Sequence, residues 1–595
     1  MTVKERVEAL RAKMKETGVD AYVVPTADFH QSEYVGEHFK ARVFITGFDG
    51  SAGTAVITKD EAHLWTDGRY FIQAEHQMEG SGVTLMKMRT VGYPTMTEFL
   101  MKTLKTGDTL GFDGRVVSVD EGVEYEKCLP GVKINYDLDL IDEIWEGRTP
   151  LSSEKAYVHE DKYAGETIES KFARLRDKMK EYGATCHIIA NLDDVNWLFN
   201  IRGNDVEYSP LLLSYAFVTL DKAFLFVDES KLDDNVRKEL ARVDTIVKPY
   251  NDIYEFVKGI PTDEKLLMDK MKLNYALYKN IPASVAKIEQ ANPATLMKAM
   301  KNETEIKGMK SAQLKDAVAH VKFMYWLKTN VGKMDITEIS AGDKLDEFRA
   351  EQGDFIGPSF EPIIAYKEHA ASMHYAPTPE EQYEIKPEGM VLTDTGGNYK
   401  EGTTDITRTY LVGPVSDEIK KHFTNVARGM IDLSMARFLY GCHGYNLDVL
   451  ARMPMWQLGL DYKCGTGHGV GNNLNIHEGP TGFRWYVVPE KNEDHILEPG
   501  MYITDEPGIY VEGSHGIRLE NELLVVEDGG DAVDRYLKFE TMTFVPLDLD
   551  GIIPSLMTEP ERAFLNWYHA EVYNKVSPYL YDEEKEWLKE YTRAI

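Results

Sequence analysis

Five side chains in the last third of the sequence are of types that bind divalent metal ions. Four are carboxylates and one is an imidazole, and each stands in a distinctive context. They are Asp394 in VLTDTGG, Asp405 in GTTDITRT, His468 in GTGHGVG, Glu506 in TDEPGIY and Glu520 in GIRLENE. This hard, oxygen-rich set suits Mn²⁺ best among first-row ions, although Zn²⁺, Co²⁺ or Fe²⁺ can also occupy such ligands. Two ions about 3.5–4 Å apart, bridged by carboxylates, would hold a hydroxide and polarise a carbonyl.

The spacing of the four carboxylates predicts two hairpins that face one site. Asp394 and Asp405 are eleven residues apart, and Glu506 and Glu520 are fourteen apart, so each pair suits the two arms of a hairpin. An acidic side chain is costly to bury in an apolar strand unless a cation or another partner compensates it. We expect glycine-containing turns to join the arms, and the glycines concerned are Gly396, Gly397, Gly513 and Gly516.

Taken singly, each of these residues also has an ordinary structural interpretation. His468 could lie in a glycine-rich turn with its hydrogen bonds satisfied, and Asp405 could cap a turn. Glu520 could form a salt bridge with Arg518. The five together, in this order, are far more specific than any one of them, and they predict a catalytic centre.

The overall composition excludes some classes of function. The chain has 595 residues and a formal net charge of −31, from 98 acidic and 67 basic residues. Binding to nucleic-acid phosphates needs clustered lysines and arginines, so this balance opposes a nucleic-acid partner. At roughly 100–200 residues per domain, the length predicts about three to five domains.

Cysteine usage and hydropathy predict a cytoplasmic protein. The four cysteines are too few and too scattered for a disulfide framework, which favours a reducing compartment. The first residues lack an apolar signal core, and the last ones resemble no lipidation signal. Because no apolar run in the sequence approaches the ~20 residues that span a bilayer, we expect no membrane partner.

A weak internal repeat predicts two related α/β domains ahead of the candidate site. LRAKMKETGVDAYVV begins at Leu10, and LRDKMKEYGATCHII begins at Leu175. Each has the pattern of an amphipathic helix, a glycine that can end the helix, and an apolar strand. The polar, turn-rich stretch at 146–167 has the composition of a linker between the two copies.

Helical patterning resumes at Ala299 and continues to about Gly332, and the candidate ligands lie in a third segment at about 303–545. The end of the chain is rich in aromatic residues and helical in pattern. The expected divisions are a first domain at 1–146, a second at 168–298, a catalytic domain at 303–545 and a helical extension at 546–595.

The sequence resembles the pita-bread metallopeptidases, and among them the three-domain X-Pro aminopeptidases, which form the aminopeptidase P family. The resemblance covers nearly the whole chain. Its motifs are HQSEYV at 30–35, GFDGSAGTAVIT at 47–58, LWTDGRYF at 64–71, NWLFNIRGNDVEYSP at 196–210, and YKEGTTDITRTY and CGTGHGVG further on. It implies an α/β (α+β) protein with two creatinase-like N-terminal domains, a C-terminal pita-bread metallopeptidase domain and a helical tail.

The resemblance also implies a role for each ligand candidate. Asp405 and Glu520 would bridge two ions, Asp394 would complete one ion, and His468 with Glu506 would complete the other. The implied reaction is hydrolysis of the bond between any N-terminal residue and a penultimate proline, by a hydroxide that bridges the metals. The implied partners are such peptides and a second copy of the chain, which makes a homodimer.

Three further residues match functional positions of the family. His374 in SMHYAP matches a proton-shuttling histidine, and His477 in NIHEGP matches a histidine that steadies the substrate and the tetrahedral intermediate. Arg518 matches an arginine that orients carboxylate ligands. Glu506 would accept the proton of the attacking water while ligating metal.

One position departs from the family pattern. Some members carry a histidine four residues before the ligand histidine, where this chain has Cys464. A thiol is a weaker hydrogen-bond donor than an imidazole, so the role of that histidine does not carry over. Cys464 either packs under the glycine-rich loop or modulates specificity and sensitivity to oxidation.

Other readings of the same residues are an X-Pro dipeptidase (prolidase), a non-catalytic peptide-binding relative and a metal-free creatinase-like hydrolase. Prolidase shares the metal ligands, and the motifs of the first domain and the tail favour the aminopeptidase over it. The binding relative and the creatinase-like hydrolase are both expected to lack part of the ligand set, and this chain retains all five residues.

Overall fold

The computed structural model describes residues 1–491, 493–531 and 533–595. The chain forms two compact units, which are described separately. The first comprises Met1–Asp161 and Glu166–Thr295, and the second comprises Lys162–Gly165 and Leu296–Ile595. The four divisions expected from the sequence stay predictions, because the first unit contains both N-terminal segments.

The first unit begins with a six-stranded mixed sheet that is covered on both faces. Its strands are β1 (Ala21–Pro25), β2 (Thr54–Thr58), β3 (Ala62–Thr66), β4 (Thr84–Lys87), β5 (Thr109–Phe112) and β6 (Lys133–Asn135), and its helices are α1 (Val3–Thr17), α2 (Ala41–Thr46), α3 (Phe71–Gln77), α4 (Met96–Thr103) and α5 (Val119–Cys128). The strand order is β4-β3-β2-β1-β5-β6. Alternate residues of β1 enter different apolar clusters, since Tyr22 packs with Leu10 of α1 and Val23 packs with Phe99 of α4.

The following segment repeats this topology. Its strands are β7 (Tyr157–Val158), β8 (Cys186–Ile189), β9 (Ile201–Arg202), β10 (Ser214–Thr219), β11 (Ala223–Val227), β12 (Ile246–Lys248), β13 (Lys265–Met268) and β14 (Ala286–Glu289). Its helices are α6 (Asp161–Ala164), α7 (Ile168–Glu181), α8 (Leu192–Leu198), α9 (Asp234–Ala241), α10 (Ile253–Phe256), α11 (Tyr275–Asn280) and α12 (Pro293–Ala299). The order β12-β11-β10-β8-β13-β14 matches the first sheet position by position, and β7 and β9 form a separate two-stranded sheet.

The strand directions of the two sheets also agree. In each sheet the first strand in sequence (β1 or β8) has an antiparallel neighbour (β2 or β10) on one side and a parallel neighbour (β5 or β13) on the other. A helix precedes each of these strands, and Gly18 and Gly183, both at φ 71, turn the chain from helix to strand. The helix–glycine–strand repeat predicted from the sequence is therefore confirmed.

The second unit contains the candidate ligands. Its helices are α13 (Glu303–Asn330), α14 (Glu338–Ala350), α15 (Asp417–Ser434), α16 (Gly444–Trp456), α17 (Glu559–Val576) and α18 (Asp582–Tyr591). Its strands are β15 (Phe355–Pro358), β16 (Ile363–Tyr366), β17 (Met390–Thr395), β18 (Gly397–Tyr399), β19 (Gly402–Thr403), β20 (Ile406–Leu411), β21 (Arg437–Leu439), β22 (Gly467–Gly469), β23 (Glu478–Phe483), β24 (Tyr502–Asp505), β25 (Gly508–Val511), β26 (His515–Arg518), β27 (Asn521–Glu527) and β28 (Tyr536–Thr541).

Two sheets of this unit carry the candidate site. One has the order β16-β17-β20, and the other has the order β21-β28-β27-β24-β22-β23. The long helix α13 begins at a capping box, in which the Asn302 side chain accepts the backbone N–H of Glu305 and the Glu305 carboxylate accepts that of Asn302. Its end at Asn330 agrees with the helical pattern that the sequence shows up to about Gly332.

The two predicted hairpins form, but their glycines do not all lie in turns. Strands β17 and β20 pair antiparallel, as do β24 and β27. Gly397 and Gly516 lie in strands, and the prediction that they occupy the turns was wrong. Gly516 is needed for close packing, because a Cβ atom there would lie 1.7 Å from the carbonyl oxygen of Ala370. Gly513, at φ 69, does occupy the turn between β25 and β26.

The C-terminal helices pack into the core of the same unit. Leu565, Tyr568 and Val572 of α17 join an apolar cluster with Phe423 of α15. The segment is thus part of the second unit's core. Among the described residues, no helix combines the length and the apolar character that crossing a membrane requires.

Candidate metal centre

Strands β17 and β20 bring Asp394 and Asp405 to the same end of one antiparallel ladder. Asp394 stands opposite Thr407, and Asp405 directly precedes β20. Alternate residues of a strand face opposite sides of the sheet. The hydroxyl of the next residue, Thr395, accepts a bond from Arg349 of α14, so Asp394 faces the side away from that helix.

His468 in β22 points one ring nitrogen at two carboxylates. Its Nε2 lies 3.4 Å from Oδ2 of Asp405 and 3.5 Å from Oε1 of Glu506. Its Nδ1 lies 2.9 Å from the carbonyl oxygen of Gly469, which suits the tautomer that carries its proton on Nδ1. The Nε2 lone pair then faces carboxylate oxygens, and a cation between them would make that arrangement favourable.

Glu506 is held by the strands on either side of it. It directly follows β24, and its backbone N–H donates to the carbonyl oxygen of Thr466 at 2.7 Å. The Thr504 hydroxyl lies 3.3 Å from Oε1 of Glu506 and accepts the backbone N–H of His468 at 3.1 Å. Thr504 therefore links the expected proton acceptor to the expected histidine ligand.

Glu520 and Asp394 are connected through Arg518 and Thr407. The Thr407 hydroxyl donates to Oε2 of Glu520 at 2.7 Å, and Nε of Arg518 donates to the same hydroxyl at 3.3 Å. Arg518 also donates to Oδ2 of Asp394 from Nε, at 3.1 Å, and from its terminal nitrogen Nη2. Two further bonds, to the Tyr510 hydroxyl at 2.6 Å and the Met373 carbonyl oxygen at 3.1 Å, fix the guanidinium.

The donor set fits divalent metal. Ligand atoms of Asp405, His468 and Glu520 lie within 4.8 Å of one another. Oδ1 of Asp394 is buried, and in the described part of the chain it has no hydrogen-bond partner. An unpaired buried carboxylate oxygen beside other carboxylates is unfavourable unless a cation satisfies it.

The pKa shifts of the carboxylates reflect the same crowding of acidic groups. Burial raises the pKa of Asp405 well above its ordinary value, and the negative charges of Asp394 and Glu506 raise it further. Burial also raises the pKa of Glu520 well above its ordinary value, with added contributions from Asp405 and Glu506. The pKa of Glu506 is raised as well, chiefly by burial. Without a cation these groups resist ionising together, and bound metal would remove that penalty.

The two predicted catalytic histidines lie beside this cluster. The ring of His477 stands edge-on to that of His468, with 4.2 Å between centroids and 65° between planes. His374 directly follows Met373, whose carbonyl oxygen accepts the bond from Arg518. Both side chains are half-buried. Their catalytic roles stay predictions.

Cys464 lies against an apolar cluster of the second unit, and burial raises the pKa of its thiol to about 11. A protonated thiol is a poor nucleophile and oxidises slowly. These observations favour the packing interpretation over a role in oxidation sensitivity.

Several residues that orient the site were missed by sequence reasoning. Thr407 and Thr504 stand two residues from Asp405 and Glu506, so strand alternation could have placed them on the ligand face. Glu522 accepts the backbone N–H of Asp405 at 2.6 Å, and burial raises its pKa to about 8. It stands two residues after Glu520, in the same alternation.

Family models match nearly the whole chain. Two models described as the creatinase/prolidase N-terminal domain match residues 6–144 and 147–305. The model of metallopeptidase family M24 matches residues 307–527, and that of the C-terminal region of peptidase M24 matches residues 535–595. The fold class predicted from the sequence is confirmed.

Individual relatives give the same result. Aminopeptidase P2 of Arabidopsis thaliana is 38% identical, over 100% of this chain and 89% of the relative. The crystal structure of an X-prolyl aminopeptidase from Caenorhabditis elegans, described as a cytosolic enzyme with a di-nuclear active site, has a TM-score of 0.95 at 33% identity and covers 100% of both chains.

A more distant similarity links the chain to dipeptidases. The structure of an Xaa-Pro dipeptidase from Bacillus anthracis has a TM-score of 0.51 at 25% identity and covers 64% of this chain and 99% of its own. The two full-length matches described above both carry the aminopeptidase name. On these matches, the chain belongs to the three-domain aminopeptidase P branch of metallopeptidase family M24.

Proposed function

We propose that this chain is a metal-dependent aminopeptidase that removes the N-terminal residue from peptides with proline in second place. One observation carries the proposal: the five candidate ligands lie in one cluster, in which His468 faces Asp405 and Glu506, and Arg518 and Thr407 link Asp394 to Glu520. The Caenorhabditis elegans relative, described as having a di-nuclear active site, supports two ions per chain. The oxygen-rich donor set favours Mn²⁺.

The residues that would hold the ions are Asp394, Asp405, His468, Glu506 and Glu520. Divalent ions bound there would polarise the scissile carbonyl and activate a water molecule. Arg518 and Thr407 keep the carboxylates oriented, because each donates to a ligand oxygen.

Side chains in and around the cluster would carry out the proton transfers. We assign acceptance of the water proton to the carboxylate of Glu506, which burial makes more basic than an exposed glutamate. His374 and His477 would hydrogen-bond the developing intermediate, and the proton accepted by Glu506 would pass by way of His374 to the departing proline nitrogen. In the substrate that nitrogen has no hydrogen, so a pocket can select it by ring shape and by offering no acceptor.

Three observations support a homodimer in the cytoplasm. Met453, Trp456, Trp485 and Val487, all in the second unit, are 42–52% exposed, and the two tryptophan rings meet at 6.4 Å. Exposed apolar clusters of this kind often mark protein interfaces. The four cysteines are free, which fits a reducing compartment, and the Caenorhabditis elegans relative is described as cytosolic.

Light scattering tests the oligomeric state. A dimer should give a measured molar mass of twice the chain mass of 67.7 kDa. The Trp456→Glu variant should have the molar mass of the monomer, because a charge in the apolar cluster opposes association. A wild-type protein at the monomer mass would contradict the homodimer.

Three peptides test the activity. Metal-stripped and Mn²⁺-reconstituted protein would be incubated with Arg-Pro-Pro-Gly-Phe, with an analogue in which alanine replaces the first proline, and with Gly-Pro. Mass spectrometry should show metal-dependent release of arginine from the first peptide only. Cleavage of Gly-Pro alone would indicate a prolidase. No cleavage of any peptide would support the non-catalytic, peptide-binding alternative.

A further inference from the structure

A buried ion pair lies behind the two candidate aspartate ligands. Arg349 of α14 donates to Asp316 of α13 from Nε to Oδ1 at 2.8 Å and from Nη2 to Oδ2 at 3.3 Å. Both side chains are fully buried. The third nitrogen of Arg349, Nη1, donates to Asp346 at 3.0 Å, so the guanidinium is held on several sides.

Two threonine hydroxyls connect this pair to the ligand strands. Thr395 directly follows Asp394, and its hydroxyl accepts a bond from Nη2 of Arg349 at 2.8 Å. Thr404 directly precedes Asp405, and its hydroxyl donates to Oδ2 of Asp316. Each candidate ligand thus has a chain neighbour bonded to one partner of the same ion pair.

Strand geometry explains why the threonines and the aspartates can act on different sides. Successive side chains of a strand face opposite ways, so Asp394 faces the metal cluster and Thr395 faces the helices. Directly before β20, Asp405 faces the cluster while Thr404 reaches α13. A shift of either threonine would therefore move the adjacent ligand.

The loop between the strands fits closely around Thr404. Its hydroxyl accepts the backbone N–H of Gly397 at 2.8 Å, and its carbonyl oxygen accepts the Ser359 hydroxyl at 2.8 Å. A Cβ atom on Gly396 would lie only 1.9 Å from that carbonyl oxygen. The loop around Thr404 is therefore tightly packed, and a shift of the ion pair would be passed through it to Asp405.

We propose that Arg349 and Asp316 form a positioning pair that sets the separation of Asp394 and Asp405 through the hydroxyls of Thr395 and Thr404. A buried ion pair gives little net stability, because desolvation offsets most of its attraction. Its value here is geometric, since metal affinity depends on how well the ligands are pre-placed. The inference rests on the proposed metal-binding role of the two aspartates.

Valine substitutions test the pair without breaking it. Thr404→Val and Thr395→Val keep the side-chain shape, remove one hydroxyl each and leave the ion pair intact. Arg349→Met is less suitable because it leaves the Asp316 charge buried and unpaired, which endangers folding. The matched control is Thr424→Val in α15, whose buried hydroxyl donates to the Lys420 carbonyl oxygen at 2.8 Å.

The measurement is calorimetric titration of metal-stripped, full-length protein with Mn²⁺, after thermal melting has shown that each variant is folded. We expect each of Thr404→Val and Thr395→Val to weaken Mn²⁺ binding about tenfold, the lower end of the ~10–100-fold effect of direct outer partners, because the threonines act on the ligands through the backbone. Thr424→Val should stay within about twofold of the wild type. Thr404→Ser, which restores the hydroxyl, should recover the wild-type affinity.

The outcomes separate this inference from the proposed function. If the wild type binds Mn²⁺ and both valine variants bind it equally well, the positioning role is wrong while the metal centre stands. If Thr424→Val weakens binding as much as they do, the effect is general destabilisation and the positioning role is also wrong. If the wild type binds no metal, the proposed function fails and this inference fails with it.

Discussion

Replacing Arg518 by lysine is the perturbation whose size follows most directly from the site geometry. The guanidinium makes two bonds to Asp394 and one each to Tyr510, Met373 and Thr407. A lysine keeps the positive charge, but its compact ammonium cannot reproduce this planar fork. Arg518→Lys therefore removes at least one charge-assisted bond to the Asp394 carboxylate.

Such a bond contributes about 1.5–3 kcal/mol. At about 1.4 kcal/mol per tenfold change in affinity, its full loss corresponds to a reduction of about 10–150-fold. Outer partners of metal ligands commonly affect metal affinity by about 10–100-fold, which agrees with that range. We therefore expect Arg518→Lys to weaken Mn²⁺ binding by one to two orders of magnitude and excess Mn²⁺ to restore much of the activity.

Calorimetric titration of the metal-stripped protein measures this effect, and release of arginine from Arg-Pro-Pro-Gly-Phe at rising Mn²⁺ measures the recovery. Arg42→Lys is the matched control, because Arg42 is a buried arginine of the first unit that bonds the Thr26 hydroxyl and the Phe48 carbonyl oxygen. The control should lose stability and keep its metal affinity. An Arg518→Lys protein with Mn²⁺ affinity within twofold of the wild type would refute the reasoning.

Three further substitutions have defined outcomes. Glu506→Gln should abolish turnover and leave far-ultraviolet circular dichroism unchanged, and near-normal kcat would overturn the proton-acceptor assignment. Cys464→Ser should leave inactivation by peroxide unchanged, because burial raises the thiol pKa to about 11; slower inactivation of the variant would contradict this. Burial lowers the pKa of His569 in the folded protein to about 3. Below about pH 6.5 the unfolded chain therefore binds more protons than the folded one, and the free energy of unfolding decreases by up to about 1.4 kcal/mol for each unit by which the pH is lowered. Urea unfolding between pH 6 and 4 should show a shallower loss for His569→Gln, and equal slopes would exclude the contribution.

The sequence predicts the parts of this structure that depend on local pattern. The segments from Leu10 and Leu175 each contain a helix, a glycine and a strand in succession, and the two copies form sheets of the same order and direction. The hairpins that carry the carboxylates are also local, because each joins residues close in sequence. Ligand candidates could be selected in the same way, since their types are costly inside apolar strands without a compensating partner.

The supports of the site are non-local, and the sequence does not reveal them. Asp316 lies on a helix far from Thr404 in sequence, and only the folded chain places their oxygens in contact. The role of Gly516 has a similar cause. Its neighbour is the backbone of Ala370, so the need for glycine comes from tertiary packing and not from a turn.

The most direct test of the account combines metal content with activity. Mn²⁺ would be added stepwise to metal-stripped protein, with bound metal counted by mass spectrometry of the washed protein and arginine release followed on Arg-Pro-Pro-Gly-Phe. The account predicts no release without metal, a rate that saturates at two bound ions per chain, and loss of metal binding in an Asp405→Asn, Glu520→Gln double variant. Full activity of the stripped protein, or of a double variant that binds no metal, would contradict it.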